Sequence, residues 1–234
     1  MTRCARNAVV SLFALTLIAS AAAQDAQRVE TFGGYSFTNN NVFLPGGATA
    51  SGWDTSTTVF LKRWFGITSD FAGQYGAGTY QTPNPLDPQG LTPETIRQVA
   101  HDYSFLFGPH FTYRHSRYAP FAQTLFGAQH NWGSLTILSP PACAPMVGCS
   151  SRPAGTTSTY SGDNFAMAVG GGLDIALGHS ISLRPVQADY LLNRVCCSYE
   201  VQHHILRAFD YNINAFRYST GITFRFGGHL GPSR

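Results

Sequence analysis

From residue 24 onward the chain repeats one pattern: roughly ten residues in which apolar and polar positions alternate, then a turn-rich stretch. Apolar residues at every second position mark a strand with one apolar face, and no helical periodicity competes with them. Eight such segments are legible: Arg28 to Phe37, Gly52 to Leu61, Phe65 to Gly76, His101 to Arg114, Tyr118 to His130, Asn164 to Ala176, Ile181 to Leu192 and Asn214 to Gly227. Each is long enough to cross a thin bilayer as a tilted strand. In the eighth, Phe216, Tyr218, Thr220, Ile222, Phe224 and Phe226 share one face, and Arg217, Ser219, Gly221, Thr223 and Arg225 share the other. In the fourth, Tyr103, Phe105, Phe107, Phe111 and Tyr113 oppose Ser104, Gly108, His110, Thr112 and Arg114. The third and sixth sort the same way, with Asp70 and Asp174 on the polar side.

Two segments resist this sorting. In the fifth, Phe121, Gln123 and Leu125 share a face, so its two sides stay unassigned. In the seventh, Arg184 and Asp189 have opposite parity with Pro185 between them. Proline inside a strand marks a bulge, and a bulge at Pro185 would return both charges to one side.

The connections sharpen the expectation. Thr38 to Ser51, Ala77 to Ala100, Asn131 to Asp163 and Asn193 to Ile213 are long; Lys62 to Trp64, His115 to Arg117 and Leu177 to Ser180 are short. Strict alternation of long and short is the signature of an outer-membrane barrel, with tight periplasmic turns and long extracellular loops. The predicted fold is all-β: an eight-stranded antiparallel up-and-down transmembrane β-barrel with both chain ends periplasmic. A soluble barrel of lipocalin type is the competing architecture. It would need the reverse arrangement, with apolar residues inside and polar residues outside.

Composition agrees with a lipid-facing wall. Charged residues are 12% of the chain and aromatics 13%, whereas soluble domains average about 25% charged. The first residues are set apart from this pattern. Arg3 and Arg6 precede an apolar stretch from Ala8 to Ala19, and Ala21-Ala22-Ala23 offers a small-residue cleavage site before Gln24. That is a secretory signal, residues 1–23. Cys4 lies before the apolar stretch, so it is not a lipoprotein cysteine. Residues 24–227 are then the barrel and 228–234 a short tail. The net charge of +3 falls to +1 once Arg3 and Arg6 are removed, and Lys62 is the sole lysine. A nucleic-acid partner, which needs a concentrated basic face, is therefore not expected.

The segments FGGYSF (Phe32 to Phe37), GWDTSTTVFLKRWFGITSDFAGQYG (Gly52 to Gly76), FLFGPHFTYR (Phe105 to Arg114), GGGLDIALGHSISLRPVQADYLL (Gly170 to Leu192) and FRYSTGITFRFG (Phe216 to Gly227) carry a family resemblance. In order and spacing they resemble small outer-membrane β-barrel proteins. These are OmpA-type transmembrane domains without the periplasmic peptidoglycan-binding domain, with relatives common in acidobacteria. The resemblance implies an outer-membrane location, outer-membrane lipid as surroundings and the barrel-assembly machinery as a partner. Ser219, Gly221, Phe224 and Phe226 are similar to the C-terminal assembly signal that this machinery reads, although the tail Gly228 to Arg234 departs from chains that end on the aromatic.

The candidate chemistry is sparse. Glu30, Asp54, Asp70, Arg114, Asp174, Arg184, Asp189, Arg217 and Arg225 are the charges expected in the lumen. The interior of an eight-stranded barrel is just wide enough for side chains to fill. Charges there must pair, because unpaired burial costs several kcal/mol per ion. A plugging network is the expectation, and a rearrangeable network passing small solutes is the alternative. Cys143, Cys149, Cys196 and Cys197 lie in long connections, where an oxidising compartment favours disulfides. Four cysteines allow three connectivities: Cys143–Cys149 with a strained vicinal Cys196–Cys197, or two bridges joining the fifth and seventh connections. Cysteine with His203 and His204 has no recognised metal spacing, so no metal or other cofactor is expected.

Some eight-stranded outer-membrane barrels modify lipid A, so a catalytic arrangement is one thing such a sequence can carry. A hydrolase needs a nucleophile beside a base on one face. The sequence has no His-x-Ser, and His115-Ser116 and His179-Ser180 are adjacent pairs in turns. The expectation is a non-enzyme. Tyr35, Trp53, Trp64, Tyr75, Tyr103, Tyr113, Tyr118, Trp132 and Tyr218 suit the two membrane interfaces. The function expected is structural or surface-interacting, with an extracellular ligand met by the long loops. A narrow pore and a lipid-modifying enzyme are the alternatives.

Overall fold

The computed structural model describes residues 29–39, 49–83, 93–139, 153–202 and 205–226; for 83, 195–202 and 205–213 it describes backbone alone. The signal segment and tail, and the side chains of all four loop cysteines, lie outside the described residues. Eight strands follow in chain order: β1 (Val29–Asn39), β2 (Thr49–Lys62), β3 (Phe65–Pro83), β4 (Pro93–Thr112), β5 (Tyr118–Ser139), β6 (Thr157–Ala176), β7 (Ile181–Gln202) and β8 (Ile205–Phe226). Each pairs antiparallel with its sequence neighbours, and β8 returns to β1, closing the barrel. The predicted up-and-down architecture is the one observed.

Period two decides which side chains face in. On β8, Ala215, Arg217, Ser219 and Thr223 are buried, while Phe216, Tyr218, Ile222, Phe224 and Phe226 are exposed. β5 resolves the ambiguity in its pattern: Ala119, Phe121, Gln123 and Leu125 face the lumen, and Tyr118 and Phe126 face out. In β7 the ladder to β8 slips between Arg184 and Gln187, and the ladder to β6 slips between Leu173 and Ile175. Three residues on β7 oppose two on each neighbour around Pro185. This bulge lets Arg184 and Asp189 both point inward at 4% and 0% exposure.

The closing seam depends on close backbone approach. Gly34 of β1 and Gly221 of β8 are register partners. A Cβ on Gly221 would strike the Gly33 carbonyl and the Gly34 Cα, and a Cβ on Gly34 would strike the Thr220 carbonyl.

The strands are longer than expected at one end only. At the tight-turn end the observed boundaries follow the predicted ones within two residues. At the other end β5, β7 and β8 run to 22 residues each, about twice what a tilted strand needs to cross a bilayer. The expected loops Ala77 to Ala100 and Asn193 to Ile213 are thus for the most part strand, and strand takes up both ends of Asn131 to Asp163, which corrects the sequence reading. Trp132 lies within β5 rather than in a loop. The missed segments turn polar on the outward face, as at Thr79, Gln81, Thr95 and Arg97, so the apolar outward alternation stops there. β1 and β2 stay short, and the β6–β7 ladder ends at Phe165↔Arg194. Above that height the described ladders are β3–β4–β5–β6 and, separately, β7–β8.

Candidate functional site

The lumen is built in layers, beginning at the tight-turn end. There Glu30 of β1 accepts a hydrogen bond from Arg114, just beyond β4, and pairs by charge with Arg225 of β8 at 3.0 Å. Arg114 also lies 4.3 Å over the Phe60 ring. In the next layer Arg184 donates both arms of its fork to Asp174, at 2.7 and 2.9 Å, and a third bond to Gln187 at 2.7 Å. Its guanidinium is sandwiched between Phe32 and Phe121, 4.3 Å from each ring centroid. Strands β1, β5, β6 and β7 thus meet on one cation. A planar guanidinium is suited to this place, because its edge takes a carboxylate while its faces take aromatic rings.

The third layer centres on Arg217, which is 1% exposed. It forks onto Asp70 at 2.9 and 3.1 Å and donates to Asp189 at 2.9 and 3.3 Å. Asp54 stands 4.0 Å away and accepts from Ser219 at 2.6 Å. Gln123 and Gln187 donate to Asp189 at 3.1 and 2.7 Å, so the Arg184 and Arg217 layers form one network. Beside it pack Leu106, Leu125, Ala166, Ala168, Leu191 and Ala215, an apolar cluster of the core.

All nine charges singled out in the sequence face this interior, and the structure divides them among the three layers. What the sequence did not reveal is the uncharged connecting set: Gln123, Gln187, Ser219, Phe32 and Phe121. A lumenal aromatic has the same parity signal as a misplaced lipid-facing one, and only closure of the ring shows which side it is on. Ser219 and Gly221, proposed as assembly signal, hold a carboxylate and the seam; Phe224 and Phe226 face outward.

Opposite charges paired in this way fill the described section, and the polar groups between them are taken up as well. His110, for example, stacks on Phe121 at 4.9 Å and meets Gln123 at 3.4 Å. Burying so many charges is tolerable because the two most buried forks, those of Arg184 and Arg217, are satisfied. Losing one partner of a buried pair costs about 3–5 kcal/mol.

The outer wall carries an apolar band bounded by aromatic rows. At the tight-turn end Trp64, Tyr113 and Tyr118 are exposed. At the other limit the register aligns Tyr35, Trp53, Gly73, Tyr103 and His130 in one row, with Tyr75, His101 and Trp132 in the next. Trp53 lies over Gly73, where a Cβ would meet its indole, and donates to the Tyr75 hydroxyl at 3.3 Å. His101 stacks on Trp132 at 5.1 Å.

One further pair on this face escaped sequence reasoning. His130 Nδ1 lies 2.6 Å from Asp163 Oδ1, its register partner on β6. Ser161, two residues along on the same face, lines a shared groove with His130 and Trp132. A cross-strand constellation leaves no trace in local spacing.

No family model matches the sequence, and no curated protein matches it. Among solved structures the chain is similar to Ail, the attachment invasion locus protein of Yersinia pestis, at 15% identity and a TM-score of 0.43, covering 86% of this chain and 97% of that one. It is also similar to OprG from Pseudomonas aeruginosa, at 10% identity and 0.42, covering 87% and 97%. Neisserial surface protein A gives 12% identity and 0.41, covering 86% and 97%.

Proposed function

We propose that the chain is a bacterial outer-membrane β-barrel protein that acts at the cell surface through what it raises above the bilayer, without catalytic chemistry of its own. The observation that carries this is the inversion of the wall. Phe71, Phe105, Phe107, Phe126, Phe165 and Phe224 are exposed outside, while seven of the nine inward charges are buried and the other two, Arg114 and Arg225, are half-buried. Such a band, flanked by aromatic rows, matches the apolar belt of roughly 25 Å that outer-membrane barrels present to lipid. A water-soluble barrel would leave that surface unsolvated. The tight turns then face the periplasm and the overlong hairpins β3–β4, β5–β6 and β7–β8 face outward. The layered ion pairs support a closed lumen over a pore, and planar bilayers holding the purified protein should stay free of stepped conductance.

The test of the surface role is a pair of strains. One displays the whole chain and the other a version whose β5–β6 hairpin is shortened above Trp132. Adherence to surfaces should rise with the first alone, while both run as folded barrels on unheated gels. Equal adherence of the two strains, or none above the empty vector, would contradict the surface role.

A second reading rests on His130, Asp163 and Ser161. These groups sit at the lipid interface and could serve lipid ester hydrolysis. Asp163 is 82% exposed at its side chain, so water weakens the pair that would orient the imidazole. Lipid A mass spectra from cells expressing the wild type and Ser161→Ala separate the readings. Identical spectra support the non-catalytic one, and an acyl chain lost only with the wild type supports hydrolysis.

A further inference from the structure

On the side of the Arg217 layer toward the long hairpins, the barrel encloses a small cavity of about 20 Å³. That is room for one small ion or one or two waters. Thr38 of β1, Gln74 of β3, Asp102 of β4, and Gln129 of β5 reach it, and Arg217 forms part of its wall. Three oxygens on these walls have no hydrogen-bond partner: Thr38 Oγ1, Gln74 Oε1 and Asp102 Oδ1. Thr38 and Gln74 are 6% and 7% exposed. Gln74 spends its amide nitrogen on Ser36, which leaves its carbonyl for the cavity. Asn131 Oδ1, on the register partner of Asp102, is likewise unpartnered, and so is Asp54 Oδ1.

The unpartnered atoms around this space are therefore oxygens. An orphaned buried acceptor costs about 1–3 kcal/mol, and so many in one place call for an occupant. Water would satisfy lone pairs but bring no charge. Asp54, Asp70 and Asp189 already surround Arg217, and Asp102 shares the cavity with it. Three carboxylates thus surround one guanidinium, whose donors are spent on Asp70 and Asp189, and a fourth, Asp102, lines the cavity beside them.

We propose that this cavity is a site for a hard cation, with calcium the best fit. A carboxylate, amide carbonyls and a hydroxyl are the oxygen donors calcium takes in flexible geometry, whereas magnesium demands a regular octahedron and keeps its waters. A divalent ion also offsets more of the carboxylate excess than a monovalent one. The ion enters from the long-hairpin end, because the Arg217 and Arg184 layers close the other.

The test uses the full mature chain, refolded in detergent and stripped with chelator. Calorimetric titration with calcium chloride should show one site per chain, and the heat-modifiable unfolding temperature should rise saturably. Magnesium chloride and sodium chloride at matched ionic strength should give smaller rises. Asp102→Asn should weaken calcium binding about tenfold or more, since ligand charge sets affinity. If that variant does not fold, Thr38→Val, a near-isosteric loss of one ligand oxygen, should weaken binding several-fold. The proposal is overturned if the wild type binds no calcium at millimolar concentration, if magnesium and sodium act equally, or if a folded variant binds calcium unchanged. The measurement is independent of the surface role, because it needs neither cells nor an external partner.

Discussion

Arg217→Met removes the cation at the centre of the lumen while keeping most of its volume. Arg217 makes a bidentate bond to Asp70 and two donations to Asp189, all beyond the reach of solvent. Without it Asp54, Asp70 and Asp189 confront one another in a low-dielectric interior. Breaking a buried pair from one side costs about 3–5 kcal/mol, a shift of about 150- to 4,000-fold in the unfolding equilibrium. Reversible urea titration of folding into short-chain lipid vesicles, followed by tryptophan fluorescence, would read this as a lower midpoint at unchanged slope. Asp70→Leu completes a double-mutant cycle. Because the two residues touch, the double variant should recover at least about 1.5 kcal/mol relative to the sum of the singles. A loss below about 0.5 kcal/mol for Arg217→Met, or strict additivity in the cycle, would mean that water screens the pair, and the closed-lumen account would fail.

Three further perturbations probe other parts of the account. Phe121→Leu takes away one face of the Arg184 sandwich and the ring beneath His110; each such cation–π contact contributes about 0.5–2 kcal/mol, and the same urea titration should show a loss beyond that of Phe126→Leu on the outer wall. Ile222→Arg, at the middle of the outward band of β8, should destabilise the vesicle-inserted barrel by about 2–4 kcal/mol, and a change near zero would place that face in water. Gly221→Ala puts a methyl against the Gly33 carbonyl at the closing seam, so the fraction reaching the folded gel band should fall, whereas Gly33→Ala, with open space at its Cβ, should assemble normally.

What could be read from the sequence followed from which face of each strand was apolar. Strand number, order, closure and the tight-turn boundaries were legible because Phe, Tyr, Ile and Val mark the outward positions there. The bulge at Pro185 was legible from the parity conflict between Arg184 and Asp189. The upper parts of β3 to β5 were not, because their outward positions turn polar, as at Thr79, Gln81, Arg97, Ser134 and Thr136, which resembles loop composition. The lumen charges could be named but not partnered. Nothing in local spacing tells that Arg217 meets Asp70, 147 residues away in sequence, or that Phe32 and Phe121 clasp Arg184. Barrel shear sets those meetings, and shear is a property of the closed sheet. His130 and Asp163 were missed for the same reason.

Fractionation of expressing cells bears most directly on the central claim, that this barrel turns its apolar face to lipid and its charges inward. The account predicts that the chain is recovered in the outer membrane, that its new N-terminus is Gln24, and that it migrates differently on gels with and without heating in detergent. Quantitative release with the periplasmic contents, as a water-soluble chain with no heat-dependent shift, would contradict it.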